Sequence, residues 1–300
     1  MDRILVYNGY GTKEDVVLFG HMFQKYDVKE ARKDARLWSN LKNAIRKYHI
    51  KAYSNISFDL KVNGVKHKVE TNELGYFRVH FKPNESTSGW HHANLVFNDK
   101  ELFANYLILG KSPIVISDID DTLLYSMVHK FWKKMHLLMF KNGLQRQRVS
   151  QFDQIQNVLL SHLNGEMTPN IFYVSNSEWN LYPMLKNFME ISGLPKGVFQ
   201  LNKLKIGIRD LIFNTQRASL HGHKYDTLLY LVERFKYHQL ILVGDTGQYD
   251  PNIYARIIED HPNRVLGVVL RRSGGKKANE RNQIEINRLR DFNVPCSVID

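Results

Sequence analysis

Two hydrophobic patterns divide the chain near residue 110. Before that point, short segments alternate apolar with polar side chains, which is typical of strands buried on one face. These segments are 56–62, 65–69, 77–81 and 93–97. Asn63-Gly64, between the first two, predicts a tight hairpin turn, and the four-residue apolar spacing within 27–50 predicts one amphipathic helix. We therefore expect residues 1–110 to form a β-rich accessory domain.

After residue 110, short runs of consecutive apolar residues alternate with longer amphipathic segments. The runs are Pro113–Ser117, Asn170–Ser175, Leu240–Gly244 and Val265–Leu270. Continuous apolar runs are typical of parallel strands buried on both faces, and the amphipathic segments between them are typical of crossover helices. We therefore expect residues 111–300 to form an α/β domain around a Rossmann-like parallel sheet.

Composition narrows the class of protein. With 43% hydrophobic and 24% charged residues, the chain resembles an average soluble globular protein, which excludes disordered, collagen-like and coiled-coil classes. No segment approaches the roughly 20 consecutive apolar residues of a membrane-spanning helix, and the first residues lack the basic and apolar regions of a signal peptide. Cys296 is the only cysteine, so we expect no disulfide framework and a cytoplasmic protein.

The net charge of +12 favours an anionic partner. A positive surface attracts nucleic acid, anionic lipid and phosphorylated small molecules alike, so the charge leaves these partners open. Residues 123–152 contain six Lys or Arg and no Asp or Glu, with Met and aromatic side chains at near-helical spacing. This pattern fits an ordinary crossover helix and also a basic amphipathic helix that lies on an anionic membrane, and one helix can be both.

Carboxylates and hydroxyls follow three of the four apolar runs. They are Asp118, Asp120 and Thr122 after the first run, Ser175 at the end of the second, and Asp245 and Asp250 after the third. Lys224 lies at the head of the amphipathic segment that precedes the third run. Because ligands of such a sheet bind outside the carboxyl ends of its strands, we expect these residues to form one site.

The clustered carboxylates predict a metal site. Like charges at one strand edge repel unless a cation or protonation offsets them, and Mg²⁺ prefers oxygen ligands. Paired carboxylates with a lysine and a serine are suited to phosphoryl transfer through an aspartyl-phosphate. A calcium-binding EF-hand is disfavoured, because Thr122 and Leu123 occupy the positions that need an oxygen ligand and a glycine. A helix cap would explain one Asp but not the whole set.

The order of these motifs resembles the haloacid dehalogenase superfamily of phosphotransferases. Within it, the segments SDIDDT, FYVSNSEWNLYP and LVGDTGQYDPNIYARI are similar to the catalytic domain of the actin patch protein phosphatidate phosphatase family. The similarity covers about residues 111–272. It implies a haloacid dehalogenase core in the catalytic domain 111–300. It also implies a minimal helical cap, because fewer than 50 residues separate the first motif from the second.

The resemblance implies a catalytic role for five residues. Asp118 would be the nucleophile, and Asp120 the general acid and base. Thr122 would steady the loop that carries them. Ser175 would donate a hydrogen bond to the phosphoryl group, and Lys224 would offset its charge.

The resemblance also implies a Mg²⁺ site. Asp118 and Asp245 would bind the ion through their side chains, and Asp120 through its backbone carbonyl. Asp250 would support them.

The function that the resemblance implies is removal of phosphate from phosphatidic acid, giving diacylglycerol, or from another phosphomonoester. The enzyme would be cytoplasmic, with peripheral contact to an anionic membrane. Two alternatives stay open: a phosphatase for nucleic-acid ends or phosphorylated metabolites, and a nonenzymatic module that binds anionic lipid or nucleic acid. The oligomeric state is not predicted.

Overall fold

The computed structural model describes residues 3–25, 51–119, 169–191, 194–202, 222–273 and 275–299. These residues divide between two compact units, one formed by 3–25 and 51–110 and the other by residues from 111 onward. Several predicted features lie outside the described residues: the helix within 27–50, the basic segment 123–152, and the site residues Asp120 and Thr122. What was expected of them stays a prediction.

The first unit is a nine-stranded sheet with the strand order β1-β3-β2-β9-β8-β5-β6, in which β4 and β7 also pair with β3. Its strands are β1 (Arg3–Val6), β2 (Gly9–Gly11), β3 (Val16–Lys25), β4 (Lys51–Ala52), β5 (Ser57–Val62), β6 (Val65–Glu70), β7 (Tyr76–Phe81), β8 (Gly89–Phe97) and β9 (Lys100–Ile108). The predicted hairpin is confirmed: β5 and β6 pair around Asn63 and Gly64, which have φ angles of 48° and 85°. Positive φ at both central residues is what a tight hairpin turn requires.

The second unit is built on a six-stranded sheet in which every pairing is parallel. Its strands are β10 (Ile114–Asp118), β11 (Asn170–Glu178), β12 (Val198–Asn202), β13 (Leu240–Asp245), β14 (Val265–Arg271) and β15 (Cys296–Ile299). Its described α-helices are α1 (Tyr182–Ile191), α2 (His223–Arg234), α3 (Asp250–Asp260) and α4 (Lys276–Asp291). The four predicted parallel strands and the α/β class are therefore confirmed, while β12 and β15 were not predicted.

The central strands explain why the apolar runs predicted this sheet. Every residue of β10 and β13 is buried, as expected for parallel strands with both faces covered. The strand order is β12-β11-β10-β13-β14-β15. The chain therefore adds β11 and β12 on one side of β10, and then β13, β14 and β15 on its other side. The carboxyl ends of β10 and β13 therefore border the point where ligands bind in open α/β sheets.

Membrane crossing has no candidate among the described helices. None of them combines the length and the apolar character that a spanning helix needs.

Candidate active site

Asp118 lies at the carboxyl end of the central strand β10, between β11 and β13. In the register with β11 it lies opposite Val174, one residue before Ser175. On the other side, the register between β10 and β13 ends two residues before Asp245. Parallel pairing therefore brings these three strand ends to the same edge of the sheet.

Lys224 connects two of the carboxylates. It is the second residue of α2, its side chain is only 4% exposed, and its Nζ lies 2.8 Å from Oδ1 of Asp118. The same Nζ donates a hydrogen bond to Oδ1 of Asp250. Burial alone would lower the pKa of Lys224, but the charges and hydrogen bonds of Asp118 and Asp250 outweigh it and raise that pKa. The ammonium group therefore stays charged and holds the two carboxylates together.

Asp245 ends β13 and is fully buried. Its Oδ1 accepts three hydrogen bonds, from the N–H groups of Gly247 at 2.6 Å and Gln248 at 3.0 Å and from the hydroxyl of Ser273 at 2.5 Å. Its Oδ2 is buried and has no hydrogen-bond partner within the described part of the chain. Burial, followed by the charge of Asp250, raises the pKa of Asp245 to about 7. A cation bound beside Asp245 would favour its charged form and so oppose this rise in pKa.

Asp250 begins α3 and is 1% exposed. Its Oδ1 accepts from Lys224, and its Oδ2 accepts the N–H of Asp245 at 3.1 Å. Gly244 leaves the space for this arrangement, because a Cβ there would lie 2.8 Å from Cβ of Asp250 and 2.7 Å from the hydroxyl oxygen of Tyr254. Asp250 thus ties the end of β13 to α2.

Asp118, Asp245 and Asp250 together could hold a metal ion. One ligand atom from each lies within 4.8 Å of the others, and all three residues are buried. Lys224 offsets one of the three negative charges, which leaves an excess that a divalent cation would balance. Carboxylate oxygens suit a hard cation, and the buried Oδ2 of Asp245 is an available ligand. The residues present therefore fit a divalent ion.

Ser175 is completely buried in β11, and its Oγ accepts the N–H of Ser177 at 2.9 Å. The sequence predicted that the strand ends at Ser175, but β11 continues to Glu178. Its pairing with β12 is irregular between Ser175 and Glu178. Asn176 and Ser177 therefore belong to a bulge within the strand, and the strand resumes pairing after it.

Comparison with known proteins places the chain in a family. Residues 113–272, more than half of the chain, match the family described as "Phosphatidate phosphatase APP1, catalytic domain". The chain belongs to this family. The APP1 catalytic-domain match contains the whole carboxylate cluster and Lys224, so the charged residues of the site lie within the matched region.

Two curated relatives of this family member come from yeasts. An uncharacterized protein of Schizosaccharomyces pombe is 27% identical over 165 residues, which are 55% of this chain and 26% of that protein. Phosphatidate phosphatase APP1 of Saccharomyces cerevisiae is 26% identical over 157 residues, 52% of this chain and 25% of that protein. The matched region thus spans about a quarter of the length of each relative.

Among solved structures, similarity is weak. A carbohydrate acetylesterase from Xanthomonas citri is 9% identical, with a TM-score of 0.30, and the match covers 96% of this chain and 65% of that one. Similarity at this level carries no argument about the fold or function of the APP1-family chain.

Sequence reasoning missed two residues that support the site, Ser273 and Asn282. Ser273 follows β14 and bonds Asp245, and Asn282 of α4 donates to the backbone carbonyls of Thr246 and Gln248. Ser273 could have been found by the same rule that found the others, since it is a hydroxyl just after the fourth apolar run. Asn282 had no such signal, because a polar residue in a hydrophilic helix is usually exposed.

Proposed function

We propose that this chain is a Mg²⁺-dependent phosphatase that acts on phosphatidic acid through an aspartyl-phosphate intermediate, with a haloacid dehalogenase core in its catalytic domain, residues 111–300. The observation that carries the proposal is the buried cluster in which Lys224 lies between Asp118 and Asp250, beside Asp245. Its position at the carboxyl edge of a parallel sheet supports catalysis there. Membership of the APP1 catalytic-domain family, and the name of the Saccharomyces cerevisiae relative, support phosphatidate as the substrate.

In the first step, a carboxylate oxygen of Asp118 attacks the phosphorus of the bound phosphomonoester. The bond between phosphorus and the leaving oxygen breaks, and Asp120 donates a proton to that oxygen. With phosphatidic acid as substrate, the products of this step are diacylglycerol and a phosphate ester of Asp118.

In the second step, Asp120 accepts a proton from a water molecule as that water attacks the phosphorus. The bond between phosphorus and Asp118 breaks, which releases inorganic phosphate and restores the Asp118 carboxylate. The same residue thus serves as acid and then as base.

The remaining groups of the site would offset the negative charge of the phosphoryl oxygens. Asp118, Asp245 and Asp250, with the backbone carbonyl of Asp120, would hold Mg²⁺, which when bound supplies positive charge for the phosphoryl oxygens. Lys224 forms an ion pair with Asp118 and would present its ammonium group to the same oxygens. Ser175 would donate a hydrogen bond from its hydroxyl to the phosphoryl group.

We place this reaction at the cytoplasmic surface of a membrane. Phosphatidic acid resides in membranes, so a protein that acts on it needs peripheral contact with an anionic surface. The basic segment 123–152 would provide that contact.

Phosphate release by the purified chain tests the proposal. The substrates are phosphatidic acid in mixed detergent micelles, a small aryl phosphate and a 5′-phosphorylated oligonucleotide, each with Mg²⁺ and with EDTA. Asp118→Asn is compared with Asp226→Asn, which changes an exposed carboxylate of α2. We expect Mg²⁺-dependent release from phosphatidic acid that Asp118→Asn abolishes and Asp226→Asn preserves.

Other results would change the assignment in distinct ways. Turnover of the aryl phosphate without phosphatidic acid would keep the mechanism and reject the lipid substrate. A clear preference for the oligonucleotide would favour a phosphatase for nucleic-acid ends. No turnover of any phosphoester, with lipid or nucleic-acid binding unaffected by Asp118→Asn, would indicate a nonenzymatic binding module.

A further inference from the structure

Ser273 contacts the candidate metal carboxylate from outside the range that the family match covers, which ends at residue 272. Its hydroxyl donates to Oδ1 of Asp245 at 2.5 Å, and its Oγ accepts the N–H of Gly247 at 3.0 Å. A hydroxyl has a single proton to donate. The N–H of Gly247 is shared between Oγ of Ser273 and Oδ1 of Asp245, and the single hydroxyl proton of Ser273 is donated to Asp245.

The three hydrogen bonds to Asp245 all go to one of its two oxygens. Oδ1 accepts from Ser273, Gly247 and Gln248, while Oδ2 is buried without a hydrogen-bond partner in the described residues. A carboxylate oxygen has about two lone-pair sites, so Oδ1 is saturated. The arrangement holds the carboxylate plane and leaves Oδ2 as the oxygen available to a cation.

Asn282 fixes the loop that provides two of these donors. It is 1% exposed in α4, and its Nδ2 donates to the carbonyl oxygens of Thr246 at 2.7 Å and Gln248 at 2.6 Å. The hydroxyl of Thr246 accepts the N–H of Ser273 at 3.0 Å and donates to the carbonyl oxygen of Ser273 at 3.2 Å. The loop between β13 and α3 is thus bonded both to α4 and to the segment after β14.

We propose that Ser273 is a positioning residue for the metal site, which orients Asp245 so that only Oδ2 is available to a divalent cation, and that Asn282 holds the loop donating to Oδ1. The proposal rests on the proposed function, since it takes the carboxylate cluster to be a cation site. It extends the working metal site beyond residue 272. It also gives a role to α4, which carries none of the predicted catalytic residues.

The binding of Mn²⁺ and Mg²⁺ alone, measured by isothermal titration calorimetry on the full chain, tests this role without any substrate. Ser273→Ala removes the hydroxyl, Ser273→Thr retains it, and Ser297→Ala is a matched control in β15. We expect Ser273→Ala to weaken cation binding about 10- to 100-fold, the usual effect of removing a hydrogen-bond partner of a metal ligand. Ser273→Thr and Ser297→Ala should bind as the parent chain does.

Asn282→Ala provides a second, independent variant. It keeps every cation ligand and the Ser273 hydroxyl, but frees the loop at residues 246–249. We expect it to raise the Mg²⁺ concentration required for half-maximal aryl phosphate turnover, with little change in kcat at saturating Mg²⁺. A fall in kcat that excess Mg²⁺ does not restore would reject the positioning role of Asn282.

The outcomes separate this proposal from the proposed function. Cation binding by Ser273→Ala with the parent affinity, while Asp245→Asn loses it, would reject the role of Ser273 and leave the phosphatase intact. No cation binding by the parent chain would reject the metal site itself, and with it both proposals. Melting curves recorded without metal show whether each variant is folded. If Ser273→Ala is not folded, cation binding by Ser273→Thr and Asn282→Ala tests the proposal in its place.

Discussion

At the scale of single residues, the site depends on a balance between burial and charge. Lys224 would lose its proton more easily if burial acted alone, yet Asp118 and Asp250 raise its pKa. The same burial, with Asp250, raises the pKa of Asp245. Lys224 thus joins Asp118 to Asp250, while Asp245 retains an oxygen that has no partner in the described residues. The polar side chains therefore both hold the site together and leave it ready for a cation.

Replacing Lys224 by Met should abolish most activity and destabilise the second unit. Met fills similar space but leaves Asp118 and Asp250 buried without their cation, and breaking a buried ion pair costs about 3–5 kcal/mol. The loss of a preorganised charge should lower kcat by about 100- to 1,000-fold. Phosphate release and urea unfolding measure the two effects.

Lys236→Met is the control for this substitution, because Lys236 is exposed just after α2. It should leave both activity and unfolding unchanged. If Lys224→Met kept the parent's kcat, the proposed contact between its ammonium group and the phosphoryl oxygens would be wrong.

Gly244→Ala should impair the site by steric overlap alone, because it changes no polar group. The added methyl would overlap Asp250 and the hydroxyl of Tyr254, and Asp250 cannot move without losing its bonds to Lys224 and Asp245. We expect a stability loss of about 1–3 kcal/mol from overpacking and a fall in kcat/KM of about 100-fold from the displaced carboxylate.

Gly275→Ala provides the comparison for Gly244→Ala, since a Cβ at Gly275 would meet no other described residue within 4 Å beyond its chain neighbours. Urea unfolding and aryl phosphate kinetics are measured on both variants. Equal and small effects at the two positions would show that Asp250 tolerates displacement, contrary to this account.

At the scale of elements, sequence patterns in the second unit predicted the strands inside the parallel sheet and missed its two outermost described strands. The central strands β10 and β13 are buried on both faces, so their apolar runs are continuous. Among the described strands, the outermost ones, β12 and β15, have a neighbour on only one side. Gln200 and Asn202 interrupt the first, and three of the four residues of β15 are half-buried. An edge strand needs less apolar sequence, and its pattern is correspondingly weaker.

The candidate site likewise contains residues that sequence patterns could predict and one, Asn282, that they could not. Three motif residues, Asp118, Ser175 and Asp245, were predictable because each lies at or just after the end of an apolar run that reaches the same sheet edge. Lys224 was predictable because it lies at the head of the helix that precedes β13. Asn282 was not, because its contacts with Thr246 and Gln248 cross 36 and 34 positions of the chain. Only the packing of α4 beside the loop brings them together.

The strand β3 should make the first unit sensitive to acid. His21 is 1% exposed within β3, its Nδ1 lies 2.8 Å from the hydroxyl oxygen of Tyr7, and burial lowers its pKa to about 3. The folded state therefore binds the proton less readily than the unfolded chain, whose His has a pKa near 6.5. Stability from this residue is complete above about pH 6.5 and is lost as the pH falls toward 3.

Between pH 7.5 and pH 5, this linkage should lower the free energy of unfolding by about 2 kcal/mol. The double variant Tyr7→Phe/His21→Phe removes the titrating group and the hydroxyl that would lose its partner. The free energy of unfolding in urea is measured for the parent and the double variant at both pH values. Hydrogen exchange in peptides of β3, detected by mass spectrometry, shows whether the unfolding includes this strand. An equal pH dependence in parent and variant would contradict the assignment.

At the scale of the whole molecule, the working site extends past the region that defines the family. The family match ends at residue 272, yet Ser273 and Asn282 bond the carboxylate and loop at the end of β13. A fragment that stopped at residue 272 would retain every motif residue and lose these supports. The second unit is therefore best treated as a whole when its activity is measured.

Cation binding should stabilise this unit by mass action. A ligand that binds only the folded state adds RT ln(1 + [L]/Kd) to the free energy of unfolding, about 2.7 kcal/mol at 100 times Kd. Mg²⁺ should therefore raise the melting temperature of the parent chain in calorimetry, and EDTA should reverse the change. Asp245→Asn should lose the effect, because it removes one of the three buried carboxylates that could hold the ion.

The double variant Tyr7→Phe/His21→Phe is the control for this prediction. It is altered only in the first unit, so Mg²⁺ should still raise its melting temperature. A choline chloride solution of equal ionic strength controls for screening; the same shift in that solution, or in Asp245→Asn, would mean that the cation acts elsewhere than at the carboxylate cluster.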